Sequence, residues 1–438
     1  MPETIAIDRL SYGPDGVGRL PDGKVAFVPN VAPGDVVEAR VVHDEQRRCQ
    51  MALERVVEPS PQRVTPNCPA SLQCGGCPWM QVGYEAQLRA KRDNVVFQLG
   101  RALGMAQDAA EALVAPCVPS KRELGFRNKL EFAARTNDKG LFRLGLHERG
   151  SDELVCPKRC LAGARGIEKA PDALRGALSY LSRSQDLGIY RVGVRHSLRT
   201  KDTEIALWTA PGAFPRKMVS SVLGTALKAT SVVRVMADPG KARKVKGVEA
   251  LSGKGFWEEQ LAGFRFLVSA PSFFQVNTAQ AENMVELVLG FLDPGPDSVV
   301  ADLYCGVGTF TLPLAATGAY TFGIESAGSS VRDLRRNAQK ANLHVEVIGG
   351  DATRELPELG ELDGLMVDPP RAGLSKEIVG SIKRCRTPKL AYVSCDPATW
   401  ARDVARLQDS GYRLVKATPV DLFPQTYHVE TVSFFERR

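Results

Sequence analysis

From Ser298 onward, short apolar runs alternate with helix-forming segments, and each run stops at a glycine or an acid. "SVVADLY" leads into "CGVGTF", "YTFGIE" ends at Glu325, and "VEVIGG" ends at Asp351. "LDGLMVDPP" carries Asp368 at its end, and "LAYVSCD" carries Cys395. Strands separated by helices cannot be paired by tight hairpins. They imply a parallel sheet with helices on both faces. In such a sheet the C-terminal strand ends line one crevice, where open α/β folds place their ligands.

The chemistry at those ends narrows the ligand. A glycine turn after the first strand lets a ligand approach the backbone. Glu325, 19 residues beyond Gly306, suits a ribose diol. "CGVGTF" lacks the third glycine of a pyrophosphate loop. S-adenosylmethionine has no phosphate and fits the shorter turn, with Asp351 toward the adenine and Asp368 toward the sulfonium. Cys395 admits two readings: a small core residue, or a nucleophile at the sheet edge.

With 438 residues, the chain is expected to form more than one domain. Residues 1–57 contain short β-rich runs ("TIAIDRL", "KVAFVPN", "DVVEARVV", "MALERVVE"). "GPDGVGRLPDG" and "VAPGD" read as the turns between them, giving a small barrel of the OB type. "EPSPQRVTPN" reads as a linker. The middle, within 58–270, reads as an α+β layer, with "FRNKLEFAAR", "LFRLGLHE", "VGVRHSL" and "EIALWTA" as antiparallel strands. The C-terminal unit is 271–438.

No apolar stretch is long enough to span a bilayer, and "MPETIAIDRL" lacks signal-peptide character, so a cytoplasmic protein without membrane partners is expected. In that compartment ten cysteines argue against disulfides. The net charge of +7 hints at a polyanionic partner. Its placement adds to the hint. Lys241, Arg243, Lys244 and Lys246 form one basic patch, and Lys121, Arg122, Arg127 and Lys129 another.

Seven segments, in order along nearly the whole chain, carry a resemblance: "CPASLQCGGC", "FRNKLEF", "SFFQVN", "DLYCGVGTF", "VDPPRAGL", "VSCDPATWARD" and "HVETV". The chain resembles the bacterial RNA uracil-5-methyltransferases, in particular the ribosomal RNA type with a TRAM domain and an iron–sulfur cluster. The resemblance implies a multidomain α/β enzyme with an N-terminal TRAM barrel, a central cluster-bearing domain and a C-terminal Rossmann-like methyltransferase domain. It implies S-adenosylmethionine contacts from Gln275, Tyr304, Glu325 and Asp368, with Asp351 and Thr309 beside them. Thr309 stands where relatives often carry asparagine. Cys395 is then the nucleophile and Glu430 the base. The expected substrate is RNA, 23S ribosomal RNA ahead of transfer RNA, and the expected state is a monomer.

Cys68, Cys74 and Cys77 follow a C-x5-C-x2-C spacing, and Cys156 and Cys160 are open as a fourth ligand. Three cysteines on one side and one on the other suit a [4Fe–4S] cluster better than the paired spacing of zinc sites. The proline after Cys156 resembles the family's fourth ligand, which selects Cys156. Cys49, Cys117, Cys305 and Cys385 read as packing residues. Two other classes compete: a methyltransferase acting on an exocyclic nitrogen, which needs no Cys395, and a non-catalytic RNA-binding iron–sulfur protein.

Overall fold

The computed structural model describes residues 2–136, 141–183, 185–240 and 244–438. A barrel and two large sheets organise them, with the small hairpin Trp257–Leu261/Phe264–Val268 beside them. Glu3–Leu10, Asp15–Arg19, Val25–Pro29, Val36–Asp44 and Arg48–Glu58 close into a five-stranded barrel. Alternating residues (Ile5, Ile7, Ala26, Val28, Val37 and Ala39 among them) fill its centre. The second strand corrects the sequence reading, which took "DGVGR" as part of a turn. Its glycines are packing devices. A Cβ at Gly16 would fall 2.3 Å from Val31 Cγ2, and one at Gly18 would fall 2.4 Å from the Ala6 carbonyl oxygen. Composition read these as turn residues, whereas the close approach of side chains at Gly16 and of backbone at Gly18 requires them.

The expected linker is also ordered. Arg63 Nη2 donates to buried Asp35 at 2.6 Å, and Ser60 N donates to the same carboxylate at 2.9 Å. The barrel is clamped at its exit by this pair.

The central sheet has seven strands, ordered Val245–Gly253, Ser231–Ala237, Thr203–Thr209, Ile189–His196, Lys129–Thr136, Phe142–His147 and Leu154–Val155. All pairs are antiparallel except Thr203–Thr209 with Ser231–Ala237. Helices Ala170–Leu181 and Arg216–Leu227 contribute to the core it shares with Leu130, Phe132, Val192 and Leu207.

The C-terminal sheet also has seven strands, ordered Glu346–Gly349, Tyr320–Glu325, Val299–Leu303, Gly364–Val367, Lys389–Ser394, Glu430–Arg437 and Tyr412–Val420. The first five are parallel, and the last two run antiparallel to their neighbours. Strand order reverses between Val299–Leu303 and Gly364–Val367. That switch point opens a crevice at their C-terminal ends. The cores do not follow a division at residue 271. Helix Tyr84–Leu103 packs Val95, Val96 and Leu99 into the same core as Leu365, Leu390, Trp400 and Val404. Among the described residues, no helix is long and apolar enough to cross a membrane.

Candidate active site

Register brings the central pair together. Strand Lys389–Ser394 runs into the crevice and delivers Cys395 beyond its end. Strand Glu430–Arg437 pairs with it antiparallel, Ser394 opposite Thr431, so Glu430 begins where Cys395 leaves off. Asp396 then caps helix Pro397–Asp409, accepting from Ala398 N and Thr399 N at 3.0 and 2.9 Å. The acid–proline pair behind the cysteine is therefore a helix start, and it turns the chain sharply at the thiol.

Asp368 ends the adjacent strand and accepts from Gln275 Nε2 at 3.4 Å. Burial pushes Asp368 up to about 7. Glu430 is also buried, and that burial together with the Asp368 charge pushes it up to about 8, against the pull of Arg371. Burial, then the Glu430 and Asp368 charges, push the Cys395 thiol up to about 12, and Arg371 again opposes. Acidic groups thus outnumber the one nearby cation, and the thiol is held neutral.

The cofactor end has a matching surplus of acid. Glu325 accepts from Gly306 N at 3.0 Å and Ala327 N at 2.7 Å, which fixes it at the strand end with lone pairs to spare. Beneath the turn, Asp302 is fully buried and pushed up to about 8 by burial, with Asp368 and Glu325 as neighbours. Its Oδ2 accepts from Thr311 at 2.6 Å, while Oδ1 has no partner among the described residues. Gly306 has φ of 57° and open space where a Cβ would stand, so a ligand can lie on the backbone there. At Gly308, φ of 99° and Leu334 Cδ1 at 2.5 Å from a Cβ exclude other residues. Tyr304 also has positive φ, at 61°. Thr309 is buried in the same turn, and Asp351 caps the short helix Ala352–Glu355 through Thr353 N. Crowded acids around an open glycine turn suit a ligand that carries positive charge and a diol.

Three residues near this crevice were given no role in the sequence reading. Asn128 Nδ2 donates to the Gln275 carbonyl at 2.9 Å and to Thr278 Oγ1 at 3.1 Å, holding Gln275 from the central domain. Arg371 is the cation acting on both Cys395 and Glu430. His428 packs against Tyr427, with ring centroids 4.2 Å apart, and burial and nearby cations push it down to about 4. All three lie inside quoted motifs, so position in a motif was the available signal.

The basic patches are less free than their composition suggests. Lys129 pairs with Glu131 at 2.7 Å, and Arg127 lies over the Phe423 ring. Lys246 pairs with Asp238 at 2.7 Å. Lys241 and Arg243 lie outside the described residues.

The cysteine-bearing loops show a different partner from the one expected. Cys74 has Cys160 and Cys68 as charged-state neighbours, and Cys77 has Cys160, Cys74 and Cys68. Cys160 faces Cys68 and receives the backbone N–H groups of Gly163 and Ala162. Cys156 instead sits by the strand Leu154–Val155, with its sulfur against Gly145. It lines a groove of about 700 Å³ that runs along the cysteine loops, with Asn67, Gln73, Arg143 and Arg159. The structure thus groups Cys160, rather than the expected Cys156, with Cys68, Cys74 and Cys77. Local sequence favoured the Cys-Pro pair, but the Leu154–Val155 strand turns Cys156 toward that groove. Among the described residues no three thiols, imidazoles or carboxylates close tightly enough to form a metal site as they stand. The donor set itself, four thiols on two facing loops, suits a thiolate-bound centre.

Comparison with known proteins places this geometry. The model of the tRNA (uracil-5-)-methyltransferase family matches residues 358–438, the segment that carries Asp368, Cys395 and Glu430. The TRAM domain model matches residues 3–47, within the barrel. An uncharacterised RNA methyltransferase of Thermosynechococcus vestitus is 34% identical over 98% of this chain and 96% of its own. One from Listeria innocua is 32% identical over 99% and 97%. The crystal structure of Pyrococcus abyssi tRNA (uracil-54, C5)-methyltransferase with S-adenosyl-L-homocysteine superposes with a TM-score of 0.75. It is 27% identical and covers 98% of this chain and 99% of that one. The chain belongs to the S-adenosylmethionine-dependent RNA (uracil-5-)-methyltransferases.

Proposed function

We propose that this enzyme methylates C5 of a specific uridine through a covalent bond between Cys395 and C6 of the base. The observation that carries this reading is the antiparallel register that sets Glu430 beside Cys395 at the mouth of the acidic crevice. The uracil must leave any stack to expose C6 to a thiol, so the target is a flipped-out base in a loop or bulge.

C5 of a neutral uracil is a poor nucleophile. Sulfur of Cys395, its proton released, bonds to C6, and the ring electrons move to C5. S-adenosylmethionine supplies the methyl group on a sulfonium, whose positive charge beside Asp368 offsets the acidic surplus. Gln275, Tyr304, Glu325, Asp351 and Thr309 hold and orient it. The C5 electron pair takes the methyl, breaking its bond to sulfur, and S-adenosylhomocysteine is the leaving group. Ionised Glu430 then takes the C5 proton. The electron pair left behind re-forms the C5–C6 double bond, and the thiolate leaves. Arg371 favours the ionised forms of Cys395 and Glu430 throughout.

The loop cysteines Cys68, Cys74 and Cys77, with Cys160 as the fourth, are the proposed ligands of a [4Fe–4S] cluster. Its contribution would be to tie the two loops together, since methyl transfer moves no net electrons. Ribosomal RNA, of the 23S type, is the proposed substrate on the resemblance of barrel plus cysteine loops. The full-length likeness to a transfer RNA enzyme favours transfer RNA as the alternative. A monomer working in the cytoplasm is the proposed setting.

RNA with 5-fluorouridine at the target position tests the chemistry. In the presence of S-adenosylmethionine it should leave a complex that survives denaturing electrophoresis, because fluorine cannot leave as a cation. Cys395→Ala should lose both the complex and methylation. Methylation by Cys395→Ala would refute the covalent route. Mapping 5-methyluridine in ribosomal and transfer RNA from a strain lacking the gene separates the two substrates.

A further inference from the structure

The barrel reaches into the crevice. Its first turn, Ser11–Pro14, projects from the strands toward the C-terminal sheet and is fixed at both sides. Ser11 Oγ donates to the Asp15 carbonyl at 2.7 Å, and Trp79 Nε1 donates to the Gly13 carbonyl at 3.1 Å. Between these anchors stands Tyr12. Its ring meets Tyr427 edge-on, with centroids 5.8 Å apart, and packs against the core of the C-terminal sheet. Its hydroxyl lies 3.2 Å from the Cys395 carbonyl and 3.4 Å from Asp396 Oδ2. Cys395, Asp396, Glu430 and Arg371 are all electrostatic neighbours of that phenol, and burial with the surrounding acids holds it protonated. A phenol that stays protonated can only act as a donor toward these two oxygens.

We propose that Tyr12 is a positioning residue for the nucleophile: its hydroxyl holds the Cys395–Asp396 backbone at the sheet edge, and the RNA-binding barrel thereby forms one wall of the catalytic pocket. The inference rests on the covalent role of Cys395. Asp396 has one oxygen committed to the start of helix Pro397–Asp409 and the other turned to Tyr12. The peptide that carries the thiol is thus held from both sides, by the helix it begins and by a residue more than 380 positions earlier in the chain. RNA gripped by the barrel and the sulfur that attacks it are then referenced to one rigid turn.

The test is Tyr12→Phe in the full chain, which keeps the ring and its packing and removes only the hydroxyl. With saturating 5-fluorouridine RNA and S-adenosylmethionine, the single-turnover rate of adduct formation should fall about tenfold, as expected for losing a hydrogen bond to a charged group. Dissociation constants for RNA and S-adenosylmethionine, and the thermal midpoint, should stay at the wild-type values. An unchanged adduct rate overturns the proposal. Weakened RNA binding with an unchanged saturated rate overturns it too, by making Tyr12 an RNA contact alone. No adduct with the wild-type protein would instead remove the covalent reading on which it rests.

Discussion

Two sets of cysteines in this protein are held neutral by burial, and differ in what stands beside them. Cys395 sits among carboxylates at a sheet edge, in a place that strand register and a helix cap define without any ligand. Cys74, Cys77 and Cys160 sit on loops, where burial raises them first and neighbouring thiols add to it. In both places a positive partner would favour the thiolate, but only the first has its geometry built by the backbone. A site written into hydrogen-bond register is assembled in the empty protein. A site carried by loops has no such register to fix it.

The sharpest way to break that contrast is to remove the loop thiols singly. Anaerobically purified protein should hold about four irons per chain. Cys160→Ser should lose the iron and its colour, while Cys156→Ser should keep both. The reverse pattern would restore the Cys-Pro choice, and stoichiometric zinc without iron would remove the cluster. Cys395→Ala should leave the iron untouched.

The built site can be attacked through its support. Lys91 on helix Tyr84–Leu103 forms a fully buried ion pair with Asp421 and donates to the Phe423 carbonyl at 3.0 Å. Tyr84 adds a bond to Asp421 at 2.7 Å. Together they pin the loop that leads to Glu430. Lys91→Ala strands the Asp421 charge, and denaturant unfolding should show a loss of about 3–5 kcal/mol. A loss under 1 kcal/mol would mean the loop is held by other contacts.

The smallest effect reads the charges themselves. Cys395 is pushed up to about 12, so iodoacetamide should modify it slowly at pH 9, and faster as the pH is raised. Glu430, pushed up to about 8, is ionised at that pH and opposes the thiolate. Glu430→Gln removes the opposing charge, so the peptide carrying Cys395 should be alkylated several-fold faster at pH 9. A slower rate would reverse the assigned sign.

How far these sites were legible follows the same contrast. Asp368, Glu325 and Cys395 announce themselves because a strand end in a parallel sheet has one place to be. Glu430 was legible only through resemblance, since an acid opening an antiparallel strand has no local signature. Tyr12, in a turn of "SYGPD", carries no mark of its partner, because its meaning lies in a contact across the whole chain. The strand Asp15–Arg19 was hidden by glycines that composition assigns to turns. Cys156 and Cys160 differ in the direction the Leu154–Val155 strand gives the chain, which spacing cannot express.

Helix Tyr84–Leu103 also sets an order of events during synthesis. It precedes the central sheet, yet most of the core it completes lies beyond residue 300, and Lys91 meets Asp421 across 330 positions. At ribosomal speeds of about 5–20 residues per second, that interval is roughly 17–66 s. Throughout it, Val95, Val96 and Leu99 can pack only on the short stretch Met105–Val114, and the nascent chain carries a largely unburied apolar stripe past a finished barrel. The C-terminal sheet, expressed from residue 271, would lack that stripe in turn and leave the matching face of its core open. The methyltransferase unit of this protein is therefore not a segment that can be cut out, because its first helix was made before its neighbour domain began.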